Sequence, residues 1–216
     1  MRIMQLAYKE DYIIMYTDRS MTEKDHEHQT GVGWVVYWKG LERRNGREGM
    51  GELAKVYDAE MLALLRGLET VIEFQQETPN ANRRCTRIIL FADNTASVTA
   101  IMKEDPRSSQ QILQKFVETA IAFLNMNRRV TIKISWVPGH MGIEGNDRAD
   151  ALAKEATGLK LARDTTTLAK IHQQLRKEMK SEWITEWANK PMTGRYAIAD
   201  RIPPSLAGSH TFRTLD

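Results

Sequence analysis

Cysteine is nearly absent from this chain: Cys85 is the only one in 216 residues. No internal disulfide can form, which fits a reducing, intracellular setting, nucleus or cytoplasm. Long hydrophobic runs are missing too. Nothing approaches the ~20 apolar residues needed to cross a bilayer, so no membrane partner is expected. The opening stretch MRIMQLAYKEDYIIMY carries Glu10 and Asp11 and no extended apolar segment, so no secretory signal is read there. Neither sign of charge dominates, with 31 Lys and Arg against 28 Asp and Glu, a net +3 that permits nucleic-acid binding without demanding it. Repeats and low-complexity tracts are lacking as well. What remains is 42% hydrophobic residues, an ordinary supply for a globular core.

Periodicity supplies the elements. YIIMYTD (12–18) is a short apolar run with β-branched and aromatic residues and reads as a buried strand. GVGWVVYWKG (31–40) reads as a second strand, and RNGREGMGEL (44–53) as a third. Asn45-Gly46 is a pair favoured in tight hairpin turns, so the second and third strands are expected to form an antiparallel hairpin. VYDAEMLALLRGLETVIEF (56–74) has apolar residues at 61, 62, 64, 65, 68, 71 and 72, which is helical spacing. TRIILFADN (86–94) is another buried strand. TASVTAIMKED (95–105) and SSQQILQKFVETAIAFLNM (108–126) read as helices parted at Pro106. RVTIKISWV (129–137) alternates as a fifth strand, and GNDRADALAKEA (145–156) reads as a helix with Asn146 as its cap. This order predicts an α/β fold: a mixed five-stranded sheet, the first three strands antiparallel and the others parallel, flanked by helices.

Past residue 157 the character changes. RDTTTLAKIHQQLRKEMKSEWITEWANK (163–190) places apolar residues at 168, 171, 175, 179, 183, 184 and 187, an amphipathic helix started by Thr165–Thr167 and stopped before Pro191. The rest, with Pro203-Pro204 and glycines, reads as irregular. The expected division is a domain over 1–157 and a C-terminal extension over 158–216.

Two aspartates, Asp18 and Asp93, close predicted buried strands, at the sheet edge where α/β proteins bind ligands. Either alone reads more readily as a turn former or helix cap. Glu60, early in the first helix, has the bland reading of a dipole-favouring glutamate. Asp150 has the bland reading of an exposed residue in the last helix, and His140 that of an ordinary loop histidine.

Taken together, YTDRS (16–20), YDAEMLALLRGLE (57–69), LFADNTASV (90–98) and WVPGHMGIEGNDRADALAKEA (136–156) resemble the four signature segments of type-1 ribonuclease H, in order, over about residues 10–157. The VYDAE and VPGHMGIEGN wording and the tryptophan-bearing tail SEWITEWANKPMTGRY are most similar to the ribonuclease H domains that follow the reverse transcriptase of fungal LINE-type (non-LTR) retrotransposons. The resemblance implies an endonuclease that hydrolyses the RNA strand of RNA/DNA hybrids. It implies Asp18, Glu60, Asp93 and Asp150 as ligands of two Mg²⁺ ions, with Mn²⁺ as a substitute. Two such ions roughly 4 Å apart would clamp an in-line attack of water. Glu60 and Asp93 would serve the attacking or bridging side, Asp150 the other, and Asp18 would bridge. His140 would assist proton transfer from a loop made pliant by Gly139, Gly142 and Gly145. Arg19, Ser20, Asn94, Thr95 and Asn146 are the implied substrate-binding residues. A reverse transcriptase domain of the same polyprotein is the implied partner.

Phosphate contacts could come from Arg19, Arg83, Arg84, Lys103, Arg107, Arg128 and Arg129, each of which is more readily a solvated surface charge. Two departures from the family pattern stand out. Arg19 occupies the position of a usual glycine, where it could block close approach to RNA or add a phosphate contact. Asp105-Pro106-Arg107 leaves no room for a basic protrusion, so hybrid binding by the isolated chain is expected to be weak and salt-sensitive. Two other readings stay open at this level: a catalytically silent scaffold of the same fold, and a nuclease for duplex RNA or DNA.

Overall fold

The computed structural model describes residues 8–24, 27–51, 56–95, 98–99, 101, 110–159 and 168–189. Its strands are β1 (Tyr12–Lys24), β2 (Glu27–Trp38), β3 (Leu41–Gly51), β4 (Arg87–Ala92) and β5 (Thr131–Trp136). Its helices are α1 (Val56–Glu77), α2 (Pro79–Arg84), α3 (Gln110–Met126), α4 (Glu144–Ala156) and α5 (Leu168–Asn189). Thr95, Val98, Thr99 and Ile101 are also helical, while the rest of the expected 95–105 helix lies outside the described residues, as do Lys103, Arg107 and the expected irregular tail from 191. The chain divides into two compact units, Met1–Lys170 and Ile171–Asp216.

The five strands lie in the order β3-β2-β1-β4-β5. β1 pairs antiparallel with β2, and β2 with β3. β1 pairs parallel with β4, and β4 with β5. The expected mixed sheet is therefore present, with β1 joining its antiparallel and parallel halves.

Strand alternation sorts the core into two layers. On one face Ile13, Met15, Ile88 and Leu90 pack with Met61, Leu64 and Leu68 of α1 and with Phe116 and Phe123 of α3. On the other, Ile14, Tyr16, Ile89 and Phe91 pack with Ala149 and Leu152 of α4. α4 lies unusually close to β2, because a Cβ on Gly33 would stand 2.5 Å from the Ala149 carbonyl oxygen. Only glycine admits that approach, and it fixes the helix that carries Asp150.

Several local expectations shift. The β2–β3 hairpin forms, but its turn is Lys39-Gly40, not Asn45-Gly46. Trp38 pairs with Leu41, and Lys39 and Gly40 both have positive φ, at 56° and 71°, as a two-residue primed turn requires. Asn45 and Gly46 instead lie inside β3 opposite Val35 and Trp34. A Cβ on Gly46 would stand 2.3 Å from the Trp34 ring, so this glycine serves packing. α4 begins at Glu144 with Ile143 at its cap position, so Asn146 is not the cap but a buried residue inside the helix. Gly145 is likewise within the helix rather than the loop. α2, unforeseen, starts at Pro79, a residue suited to a first helical turn. The expected amphipathic helix forms as α5, with Ile171, Leu175, Met179 and Ile184 exposed, while its expected start at Thr165–Thr167 lies outside the described residues.

Candidate active site

β1 does not end at Asp18 but runs six residues further against β2. Its parallel neighbour β4 stops at Ala92, paired with Thr17. Asp18 and Asp93 are therefore the next residues on adjacent strands, side by side where the parallel sheet ends. Glu60 reaches the same place from the second turn of α1, 2% exposed. One carboxylate oxygen from each of Asp18, Glu60 and Asp93 lies within 4.8 Å of the others. Asp150 on α4 and His140 border the same open cleft, together with Arg19, Ser20, Met21, Asn94, Thr95 and Lys154. All five residues expected to be catalytic thus meet in one cleft. Asp150 stands outside the tight trio.

The electrostatics follow from crowding like charges in a partly dry site. Burial, then the Asp93 charge, pushes the Asp18 carboxyl up to about 7, against the Arg19 backbone N–H, which donates to its Oδ1 at 2.7 Å. Burial, then Asp93 and Asp18, pushes Glu60 up to about 7, opposed by Arg19 and by the Asn94 side chain. Asp93 is raised by burial and by Asp150, while Arg19 and His140 oppose the rise. Glu60 Oε1 accepts a hydrogen bond from Arg19 Nε at 3.1 Å, but Oε2 is sealed from solvent with no hydrogen-bond partner. Asp150 Oδ2 accepts from Lys154 Nζ at 2.5 Å, one helical turn on.

The loop from β5 to α4 carries His140 with φ of 55° and Gly142 with φ of 69°, and leaves the imidazole exposed at the cleft. Its start is held against the cluster, since Trp136 Nε1 donates to the Asp93 carbonyl oxygen at 2.8 Å.

Of the expected substrate-binding residues, Arg19, Ser20, Asn94 and Thr95 line the cleft. Asn146 does not; its side chain is 1% exposed, and neither amide atom has a hydrogen-bond partner. Arg83 and Arg84 lie in α2 just before β4, and Arg128 and Arg129 just before β5. That is the opposite end of the parallel strands from the carboxylates, and Arg84 pairs with Glu10 there. Sequence reasoning missed Lys154 and Met21. The i,i+4 spacing of Lys154 from Asp150 was a usable signal; nothing in the sequence marks Met21.

The chain is 26% identical to human ribonuclease H1 over 159 residues, which is 69% of this chain and 51% of that protein. It therefore spans about half the length of the curated relative it matches. The ribonuclease H1 crystal structure from Halobacterium salinarum aligns over 67% of this chain and 96% of its own, with 24% identity and a TM-score of 0.48. LC11-RNase H1, crystallised in complex with an RNA/DNA hybrid, aligns over 67% of this chain and 96% of its own, with 25% identity and a TM-score of 0.49. The RNase H family model matches residues 10–158, more than half of the chain and all four signature segments, and the chain belongs to the RNase H family.

Proposed function

We propose that this chain is a metal-dependent endonuclease that hydrolyses the RNA strand of RNA/DNA hybrids, with Asp18, Glu60, Asp93 and Asp150 holding two Mg²⁺ ions. The observation that carries the reading is the convergence of Asp18, Glu60 and Asp93 at the end of the parallel strands. The donor set fits a hard divalent cation. It is all oxygen, its carboxylates repel one another, and Glu60 Oε2 is buried without a partner. Cations bound there would activate water and stabilise charge on the departing RNA 3′-oxygen.

The chain's own residues do the rest. Asp18, Glu60 and Asp93 are fixed by β1, α1 and the end of β4, so the negative field is preset. Asp150 extends it along the cleft from α4. His140, exposed on its loop at the cleft mouth, stands where a general acid–base group could pass a proton. The Ser20 and Thr95 hydroxyls and the Asn94 amide line the same cleft and can hydrogen-bond the 2′-hydroxyl and phosphate oxygens that mark an RNA strand.

The finer reading is service in retrotransposon reverse transcription, beside a reverse transcriptase domain of the same polyprotein. It is supported by the wording of the segments at 56–60 and 137–146. Sequencing the reading frame around this chain tests it: no reverse transcriptase segment upstream refutes it. The catalytic domain is read as 1–157, with 158–216 an extension. The test of substrate class is a panel of labelled RNA/DNA hybrid, duplex RNA and duplex DNA at low salt with Mg²⁺. Cutting confined to the RNA strand of the hybrid is expected; equal cutting of duplex RNA, or no cutting by folded protein, overturns the reading. No helix among the described residues is long and apolar enough to cross a membrane.

A further inference from the structure

Glu60 is the most enclosed carboxylate of the trio, and neither of its oxygens is free to meet a cation arriving from solvent. Oε2 has less than 1 Å² of accessible surface. Oε1 is capped by the Arg19 guanidinium at 3.1 Å. Arg19 also donates its backbone N–H to Asp18 Oδ1, and its charge is felt by Asp93 as well as by Glu60. One residue thus engages all three members of the cluster. Its side chain is 30% exposed at the cleft wall, while that of Glu60 is 2% exposed.

The fourth carboxylate repeats the arrangement more loosely. Asp150 Oδ2 is held by Lys154 Nζ at 2.5 Å, with Lys154 59% exposed. Lys154 belongs to an open surface pair, whose contribution is small and easily screened. Arg19 does not, because its partner is buried and has, besides the guanidinium, only the neutral Asn94 side chain to oppose its charge. A buried carboxylate with one guanidinium on it resists losing that partner unless another cation replaces it.

We propose that Arg19 is an internal counter-ion that competes with the divalent cation for Glu60, so that loading the site requires the guanidinium to leave Oε1. The pair holds the metal-free cluster together and raises the cation concentration at which it fills. Arg19 acts here as a positioning residue; it does not touch the reacting atoms. Once displaced, the guanidinium remains on the cleft wall beside Ser20 and Met21, which line the same space. This inference rests on the proposal that the trio binds a divalent cation.

Calorimetric titration of Mn²⁺ into the full-length chain, without nucleic acid, tests it on wild type, Arg19→Gln and Arg19→Lys. Losing a charge-assisted hydrogen bond to a partly exposed donor is expected to tighten Mn²⁺ binding about tenfold in Arg19→Gln. Arg19→Lys, which keeps the charge but not the planar fork, is expected to bind a few-fold tighter than wild type. It serves alone should Arg19→Gln fail to fold. Urea unfolding supplies the second readout. Arg19→Gln should be less stable than wild type in chelator and recover most of the deficit in saturating Mn²⁺. Affinity unchanged or weakened by both substitutions overturns the competition, and so does an equal loss of stability with and without Mn²⁺, which marks a purely structural pair. Absence of Mn²⁺ binding by the wild type refutes the metal reading itself, a result distinct from these.

Discussion

Glu60→Gln should make the metal-free protein more stable at alkaline pH while removing a ligand of the site. The carboxyl ordinarily titrates at 4.5 and is held at about 7 in the folded chain, chiefly by burial. That difference is roughly 2.5 decades, or about 3 kcal/mol at 1.36 kcal/mol per decade. Below pH 4.5 the carboxyl is protonated in both states and folding is not penalised. Between 4.5 and about 7 the unfolded chain gives up its proton first, so stability falls as pH rises. Above about 7 the whole penalty is present. The amide of the variant stays neutral throughout, so its advantage should be about 3 kcal/mol at about pH 8 and under about 1 kcal/mol at about pH 5. In melting temperature the gain at the higher pH is about 6–12 °C for a chain of this size. The assay is urea unfolding in chelator at the two pH values. With Mn²⁺ at about 100 times its dissociation constant the wild type should regain about 2.7 kcal/mol, and the variant markedly less. No gain at the higher pH, or an equal gain at both pH values, would refute the reasoning that unneutralised charge strains this cluster.

Three further outcomes are expected. Leu68→Ala, at a fully buried position between α1 and the sheet, should cost about 2–5 kcal/mol of stability in urea unfolding; a loss below about 1 kcal/mol would mean the core is not packed as described. His140→Ala should lower kcat about 10²-fold with KM little changed, because the imidazole lies at the cleft mouth and outside the carboxylate trio; an effect on KM alone would assign it to substrate binding instead. A chain ending at Leu159 should fold and cleave hybrid within about twofold of full length, as expected if 158–216 is an extension to a domain with its own core; failure to fold would show that the extension belongs to that core.

The fold was legible because its signals were strong and redundant. Buried runs at 12–18 and 86–94 could be little else than strands, and the seven apolar positions counted in 56–74 land on the buried face of α1 or its margin. Asp18 and Asp93 drew notice as aspartates closing predicted strands, although Asp18 turned out to be mid-strand, and the set of four with Glu60 and Asp150 came from the resemblance of the signature segments. What defines the edge there is the end of β4, a fact of pairing that one strand's sequence does not carry. Asn45-Gly46 misled because turn propensity and a glycine needed for packing against Trp34 look alike in sequence. Asn146 misled as a cap because α4 starts two residues earlier, where no side chain caps it. The Arg19–Glu60 pair was invisible for a different reason. It joins residues 41 apart, through β1 and α1, and only their packing brings the two side chains together.

The carboxylate cluster is proposed as a metal-dependent centre for cutting RNA paired to DNA. The most direct test labels both strands of one hybrid and compares wild type with Asp93→Asn in Mg²⁺, Mn²⁺ and chelator, with folding of both proteins verified. The expected result is cutting of the RNA strand only, by the wild type only, and only with a divalent cation. Cutting that persists in chelator, or that survives in Asp93→Asn at wild-type rate, would contradict it.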